Sequence, residues 1–332
     1  MLVLSGVAHA ADFTVTNGGD LLTFTPTTYR QAVQAANGSP GPDRIRFAVD
    51  RVVTSASIDV TDSLTIGGTG APVRIDGAGH FIGRIGFSSS GFAPLDVTIG
   101  SNVTIGDFGS GIVGPTAIRL DGVVPTTLRL DGAIVPARLG SSPSGPFSSV
   151  DAITASGQAT IHLSSTGLIQ TQLGRSAIVG LPSLTFGSSF GTVVNINGGT
   201  IRADGRGIDA PGASVNMTGG LIEAREDALV LGTGSSLSIA GGRISGGGDG
   251  ARFVPLFPAF TTRVAMTGGT LEGVAGNGIS TASLWTSSSV QVRPSQAGAA
   301  SLRPDPPSTP PSPAPSRAQA EPRSSSAPRT IP

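Results

Sequence analysis

The chain has 332 residues, including 49 glycines and 25 prolines but no cysteine, and aromatic residues make up only 5% of it. Its 21 basic residues, all of them arginine, balance 21 acidic residues, so the sequence lacks the excess of positive charge that binds nucleic acid. Without cysteine the chain can form neither disulfides nor cysteine-ligated metal sites. A long chain with so few large side chains must fill its interior with small aliphatic residues, which suits a narrow, repetitive core.

The N-terminal residues have the pattern of an export signal. An apolar run leads to Ala8-His9-Ala10, the small-x-small pattern that signal peptidase recognises, and we predict cleavage before Ala11. Residues 1–10 would be the remnant of a signal peptide whose basic start is missing, so that the start codon lies upstream or the chain is trimmed. The alternative is an ordinary buried first strand. No other stretch approaches the roughly 18 apolar residues of a membrane-spanning helix.

Residues 11–51 are predicted to form a capping segment with one short helix. Thr28 and Gln31 stand three residues apart as a capping box, and Gly38 supplies a C-terminal stop. Four apolar residues share one face of this helix: Tyr29, Ala32, Val33 and Ala36. Because the first coil of a solenoid exposes an apolar cross-section and an unpaired strand edge, we expect the helix to cover that end.

The capping segment resembles the N-terminal part of secreted right-handed β-helix proteins. In that family a strand ending in Thr-Asn precedes a helix of the form L/Y-R-x-A-(x)3-A-N and a strand of the form P-G-x-D-x-I-x-F. The matching positions are Thr16, Asn17, Tyr29, Arg30, Ala32, Ala36, Asn37, Pro40, Gly41, Asp43, Ile45 and Phe47. The resemblance implies that a parallel β-helix follows.

Residues 52–290 repeat strand and glycine units. The repeat is loose from Val52 to Gly140 but regular from Val194 to Leu284, where Gly-Gly pairs begin at residues 198, 219, 241 and 268, which are 21, 22 and 27 residues apart. A repeat of this length is typical of a solenoid. Coils stacked about 4.8 Å apart can pair each backbone group with the coils above and below. We therefore predict an all-β fold, a right-handed parallel β-helix.

The alternation of apolar and polar residues specifies which side chains point inward. The inward set is predicted to be Val194, Ile196, Ile201 and Ala203, then Val215, Met217, Ile222 and Ala224, then Leu237, Ile239, Ile244 and Gly246, and finally Val264, Met266, Leu271 and Gly273. The outward set is Asn195, Asn216, Ser238, Ala265, Arg202, Glu223, Ser245 and Glu272. A second short strand is expected around Ile208, Leu229, Ala251 and Ile279. Arg202 and Glu223, one coil apart, are expected to pair across the surface.

These repeats resemble the coils of bacterial autotransporter passenger domains. The resemblance covers most of residues 12 to 285 and concerns architecture rather than activity. Three segments are expected to project as loops: 140–149, 181–191 and 254–262. The last contains Leu256, Phe257 and Phe260, and it is either a binding loop or an apolar flap folded onto the wall.

Residues 291–332 hold 11 prolines and are predicted to be a disordered tail. An autotransporter passenger would continue into further coils and a translocator barrel, which these residues do not contain. The tail is therefore expected to be either a genuine linker or an out-of-frame translation of a longer passenger.

No motif in the sequence carries a convincing active site. Gly187–Gly191 matches G-x-S-x-G, but a strand rather than the required helix follows it. Gly205–Ala210 imitates a dinucleotide-binding loop, yet Pro211 excludes the helix that would hold the phosphates. His80 and His162 are too far apart in sequence to suggest a metal site, and the single copy of G-G-G-D-G around Asp249 is weak evidence for calcium.

Acidic residues are the remaining candidates for chemistry. Asp76, Asp121 and Asp131 each precede a glycine and are expected to form turns, and Glu226-Asp227 is the only adjacent acidic pair. A glycoside hydrolase would need two carboxylates a few ångströms apart, and a lyase would need clustered aspartates for Ca²⁺ and a base. We predict no catalytic, cofactor-binding or metal-binding residues.

The prediction for function follows from the repeat, the capping segment and the export signal. We expect a secreted or surface-displayed, non-enzymatic β-helix that serves in adhesion or as a rigid stalk, with an extracellular glycan or protein of a host surface as its partner. The alternatives are a β-helix polysaccharide lyase or glycoside hydrolase, and a truncated passenger fragment without independent activity.

Overall fold

The fold is given by a computed structural model, which describes residues 10–20, 27–54, 58–77, 83–85, 94–106, 116–135, 151–172, 174–181, 191–232, 234–254, 262–281 and 291–294. The chain divides into one unit over Met1–Leu302 and a second over Arg303–Pro332, and all of the described residues lie in the first.

The described residues form one helix and 25 strands, and all 25 strands belong to a single parallel sheet. The helix is α1 (Tyr29–Asn37). The strands are β1 (Asp12–Val15), β2 (Asp43–Phe47), β3 (Arg51–Val53), β4 (Asp59–Val60), β5 (Leu64–Ile66), β6 (Val73–Asp76), β7 (Gly83–Ile85), β8 (Leu95–Ile99), β9 (Val103–Gly106), β10 (Thr116–Leu130), β11 (Ala133–Ile134), β12 (Asp151–Leu163), β13 (Leu168–Gln170), β14 (Ile178–Leu181), β15 (Val193–Ala203), β16 (Ile208–Asp209), β17 (Ser214–Ala224), β18 (Leu229–Gly232), β19 (Ser236–Ile239), β20 (Arg243–Gly246), β21 (Ala251–Val254), β22 (Arg263–Met266), β23 (Thr270–Gly273), β24 (Ile279–Thr281) and β25 (Gln291–Pro294).

The strand pairings run in three continuous ladders, so the predicted parallel β-helix is confirmed. The first ladder joins β1, β2, β5, β8, the second parts of β10 and β12, the first parts of β15 and β17, and then β19, β22 and β25. The second joins β3, β6, β9, β11, β13, the second parts of β15 and β17, β20 and β23. The third joins β4, β7, the first parts of β10 and β12, β14, β16, β18, β21 and β24. Each coil visits the three ladders in that order and then returns to the first.

The core is the column of aliphatic side chains inside the three ladders. Val194, Val215 and Leu237 occupy the same position in successive coils and are all buried, as predicted. Met217 also points inward and is 1% exposed. In the last full coil the inward residues Met266, Leu271 and Gly273 are only partly buried.

The second glycine of each Gly-Gly pair bends the chain between the first and second ladders. Gly199, Gly220, Gly242 and Gly269 have φ values between 70° and 92°, the left-handed region that side chains other than glycine rarely adopt. A Cβ at Gly220 would lie 2.5 Å from the carbonyl oxygen of Gly198 in the preceding coil. The pairs therefore stack on one another, and no larger residue fits their second position.

The helix begins and packs as the sequence predicts. The Thr28 hydroxyl accepts a hydrogen bond from the Gln31 backbone N–H, the Gln31 side chain accepts one from the Thr28 N–H, and Gly38 ends the helix in a right-handed conformation. Tyr29, Ala32, Val33 and Ala36 are buried, and the helix packs against β1, β2 and β4. The Tyr29 ring lies 5.9 Å from that of Phe47, centroid to centroid, and burial raises the pKa of the Tyr29 phenol. The helix thus covers the interior of the first coil.

Two features differ from the sequence-based expectation. Strands of roughly five residues were expected, but β15 and β17 each run for 11 residues through their Gly-Gly pair, because backbone pairing with the next coil continues across the bend. Strand β25 pairs with β22 beyond the predicted start of the tail at residue 291. Most of the three expected loops, and residues 295–332 of the expected tail, lie outside the described residues.

Candidate functional site

The structure separates the residues that the sequence singled out. His80 and residues 182–190, which include most of the G-x-S-x-G match, lie outside the described residues. His162 lies on the outer face of β12, where Asn195 Nδ2 is 3.4 Å from its Nδ1. Burial, followed by the nearby Arg129, lowers the pKa of His162, while Asp96 opposes the shift. His162 is therefore one member of a polar row on the wall.

The two glycine-rich motifs are corners of the solenoid. Strand β16 begins at Ile208 inside the Gly205–Ala210 segment, so the expected corner is confirmed and a dinucleotide-binding helix is excluded. In the G-G-G-D-G segment, Asp249 Oδ1 accepts a hydrogen bond from the Asn277 N–H at 2.8 Å, and its Oδ2 bonds the Ser280 hydroxyl. Within the described part of the chain, no group of three or more His, Cys, Asp or Glu side chains could hold a metal ion.

The prediction that Asp76 and Asp121 form turns is wrong. Asp76 ends β6 and is 1% exposed, with Arg51 Nε donating to its Oδ2 at 2.7 Å and Arg74 Nε lying 2.6 Å from its Oδ1. Asp121 lies inside β10 and accepts a hydrogen bond from Arg119 at 2.8 Å. Arginine partners compensate the buried charge at both positions. β10 continues through the Asp121-Gly122 pair, whereas β6 ends at Asp76. Asp131 does lie in a bend.

A corner row, which the sequence did not suggest, joins successive coils just before the third ladder. The strand register places Asp151, Ser176, Arg206, Asp227, Asp249 and Asn277 at equivalent positions. Three of these carboxylates accept the backbone N–H of the equivalent residue in the next coil: Asp151 from Ser176 at 3.1 Å, Asp227 from Asp249 at 2.9 Å and Asp249 from Asn277 at 2.8 Å. At this corner, aspartate side chains therefore accept the backbone N–H groups that backbone carbonyls accept within the ladders.

Two shallow polar grooves flank this corner. The first, with a volume of about 280 Å³, is lined by Gln170, Thr171, Arg202, Ala203, Asp204, Glu223, Ala224 and Arg225. The second, of about 270 Å³, is lined by Asp151, Gly174, Arg175, Ser176, Val179, Arg206, Asp209 and Glu226. The two grooves are neighbours, since the adjacent residues Arg225 and Glu226 line the first and the second groove respectively.

Most charges in the first groove neutralise one another. Arg202 Nε lies 3.1 Å from Glu223 Oε2, which confirms the predicted surface pair, and Arg225 Nη1 lies 3.5 Å from Asp204 Oδ1. Exposed pairs of this kind contribute no more than about 1 kcal/mol each. This groove presents paired, solvated charges rather than a reactive group.

The second groove contains a carboxyl group whose pKa is raised. Burial raises the pKa of Asp151, and the negative charge of Asp209 adds to this, whereas the hydrogen bond from Ser176 and the charge of Arg175 oppose it. Arg206 Nη1 lies 2.6 Å from Asp209 Oδ2, and these acidic neighbours raise the pKa of Arg206. The Arg175 carbonyl accepts hydrogen bonds from the Thr171 hydroxyl and the Gly205 N–H, while its guanidinium group forms no ion pair within the described residues. The groove combines one carboxyl whose pKa burial raises with one that an arginine holds in place.

Comparison with known protein families, with curated proteins and with solved structures finds no match. Among the described residues, no helix has the length and apolar character needed to cross a membrane. The geometry of the wall is therefore the basis for assigning a function.

Proposed function

We propose that the protein is a secreted or surface-displayed β-helix, similar to an autotransporter passenger domain, which acts without catalysis in adhesion or as a rigid stalk. The observation that carries this proposal is the continuity of the first ladder, which pairs from β1 to β25 among the described strands. A stack whose coils are each held by the next resists bending, as a spacer between a cell and its target must.

The outer wall supports the same function through pairs that join one coil to another. Asn216 Nδ2 donates to Asn195 Oδ1 at 3.0 Å, and the Ser236 hydroxyl donates to that of Ser214 at 2.9 Å. Arg129 donates to both carboxylate oxygens of Asp96, one coil earlier. These contacts tie neighbouring coils together and leave a polar surface that a glycan or protein could contact.

Cell fractionation tests the location. We expect the full chain, expressed with an intact export signal in a Gram-negative host, to leave the cytosol and to lose residues 1–10. Recovery of unprocessed chain in the cytosolic fraction would refute the proposal. Binding of the purified chain to host cells or immobilised glycans separates the two roles, since an adhesin binds them and a stalk does not.

The second groove favours a second candidate, a carbohydrate-active enzyme. Asp151, whose pKa burial raises, could act as an acid, and Asp209 on the same groove could act as a base. Incubation of the purified chain with pectic and neutral polysaccharides, followed by assays for reducing ends and unsaturated products, tests this candidate. Activity that Asp151→Asn abolishes and Asp96→Asn preserves would favour the enzyme over the adhesin.

A further inference from the structure

Asp43 is a buried acidic residue in the first coil of the stack. It is the first residue of β2, on the same face as the fully buried Ile45, and it is 1% exposed. Its Oδ1 accepts a hydrogen bond from the backbone nitrogen of Ala11 at 2.8 Å, but its Oδ2 is buried with no hydrogen-bond partner among the described residues. No arginine pairs with it within the described ranges, whereas the buried Asp76 and Asp121 both have arginine partners.

An uncompensated buried charge is strongly unfavourable. A carboxylate at this position therefore requires a positive group that can reach both of its oxygens. Arginine side chains supply that group elsewhere in the wall, but the nitrogen that bonds the Asp43 carboxylate is the main-chain nitrogen of Ala11.

The strand register fixes that nitrogen beside Asp43. Asp12 pairs with Arg44 between β1 and β2, so Ala11 lies opposite Asp43 in the first ladder. The Ala11 carbonyl accepts a hydrogen bond from the Arg44 N–H at 2.8 Å, which holds Ala11 in place, while Ala10 is exposed. This nitrogen belongs to the peptide bond at which the Ala8-His9-Ala10 pattern predicts cleavage.

We infer that cleavage of the Ala10–Ala11 bond creates the missing cation, the α-ammonium group of Ala11, which forms a buried ion pair with Asp43. Signal peptidase hydrolyses the amide with one water molecule, and the proton of the new Ala10 carboxylic acid passes to the Ala11 amine. The products are an Ala10 carboxylate and an Ala11 ammonium. The nitrogen gains a positive charge and changes from one N–H donor to three, enough to bond both Oδ1 and Oδ2.

The consequence is a first coil that becomes fully stable only after processing. β1 is the first strand of the first ladder and lies under α1, so a fixed Ala11 holds the start of the solenoid in register. The unprocessed chain offers Asp43 a single neutral N–H and leaves β1 more weakly attached. This inference rests on the export that the proposed function includes.

Hydrogen exchange of three purified chains tests the inference. The first begins at Ala11, the second has one additional glycine before Ala11, and the third is the first chain acetylated at its α-amino group. Because the sequence contains no lysine, an amine-reactive reagent modifies the α-amino group selectively. The amides of Arg44 and Ala48, which bond to the carbonyls of Ala11 and Val15, report the attachment of β1.

We expect both amides to exchange at least about tenfold more slowly in the chain that begins at Ala11 than in the other two, since removing one partner of a buried ion pair costs more free energy than that factor represents. The amide of Thr200, far along the stack, should exchange equally in all three. Asp43→Asn should remove the difference in exchange. Asp12→Asn is the control that should preserve it, because Asp12 in β1 pairs with Arg46 in β2 at the exposed surface.

Equal exchange in the three chains would overturn the inference, and so would a difference that persists in Asp43→Asn. If Asp43→Asn does not fold, the acetylated chain decides alone, because it carries no side-chain change. A mature N-terminus at a residue other than Ala11, determined by mass spectrometry after export, would also overturn it. Since the purified chains are made by a site-specific protease, a failure of the proposed location leaves this result unaffected.

Discussion

The two ends of the described stack differ in how their interiors are covered. At the first coil, α1 lies across the interior, and Val15 and Ile45 are completely buried. At the last full coil, Leu271 and Ile279 are only partly buried and Val274 is 77% exposed. One coil further in, the equivalents of Leu271 and Ile279 are Ile244 and Ala251, and both are fully buried.

The comparison shows that a coil does not bury its own core. Ile244 and Leu271 occupy the same position with nearly the same volume, and only Ile244 has described coils on both sides. Stability in such a stack resides in the interfaces between neighbours. A substitution should therefore lower the free energy of unfolding most where it disrupts the capping helix or an interface between two coils, and less at the open end.

The largest effect is expected from Val33→Asp in α1, which would place an unpaired charge against the first coil. We expect the free energy of unfolding of the N-terminal coils to fall by about 3–5 kcal/mol. Gln34→Asp is the matched control, because it introduces the same charge at the exposed neighbouring position. Thermal unfolding, with hydrogen exchange to locate the change, measures both. Equal losses would contradict the covering role of the helix.

A pair of core truncations compares the interior with the open end directly. Ile222→Ala, in a coil with neighbours on both sides, should cost about 2–5 kcal/mol, the usual range for a buried aliphatic residue. Leu271→Ala should cost less than about 2 kcal/mol, because the side chain is already partly exposed and leaves a smaller cavity. Denaturant unfolding of both variants gives the two values. A larger loss at Leu271 would mean that the last coil is covered after all.

The sequence was sufficient for the fold because its signals are local and repeated. The inward position of Met217, the capping box of Thr28 and Gln31, and the corner at Gly207 each depend on a few adjacent residues and confirm the prediction. A period near 21 residues then specifies that successive units stack.

The site could not be predicted in the same way. Asp151 bonds Ser176 and lines the same groove as Arg206 only because the coils between them, which differ in length, bring equivalent positions together. The burial of Asp76 likewise depends on Arg51, one coil earlier, a contact that no local pattern records. Long-range register, rather than residue type, decides these contacts.

Within a single coil, the Gly-Gly pair offers a smaller and sharper test. Gly220→Ala should cost about 1–3 kcal/mol, because Gly220 has φ near 92° and its Cβ would meet the Gly198 carbonyl. Gly219→Ala should change stability by less than about 1 kcal/mol, since the nearest atom to its Cβ would be 3.7 Å away. Thermal unfolding of the two variants provides the comparison. A cost at Gly219 that equals the cost at Gly220 would refute the assignment of the bend.

The smallest effect concerns the pH dependence of stability at Asp151. Because burial raises its pKa, the folded state binds more protons than the unfolded state between about pH 4 and the raised pKa, and stability falls as the pH rises through this range. Asp151→Asn keeps an oxygen for the Ser176 N–H and removes this loss, so the variant should equal or exceed the parent in stability at pH 7. Asp249→Asn is the corner-row control. Unfolding curves between pH 4 and 8 measure the stability of both variants. If Asp151→Asn and Asp249→Asn were destabilised equally at pH 7, the raised pKa of Asp151 would be contradicted.

Because equivalent residues stack directly on one another, the length of the solenoid can change while its cross-section stays the same. Removal of one whole repeat, for example residues 214–235, would bring Leu237 to the position that Val215 now occupies above Val194, and the apolar column would remain intact. Each such step would shorten the molecule by one rung of about 4.8 Å without altering its cross-section. Duplication and loss of repeats could therefore adjust the length of the solenoid in fixed increments of one rung.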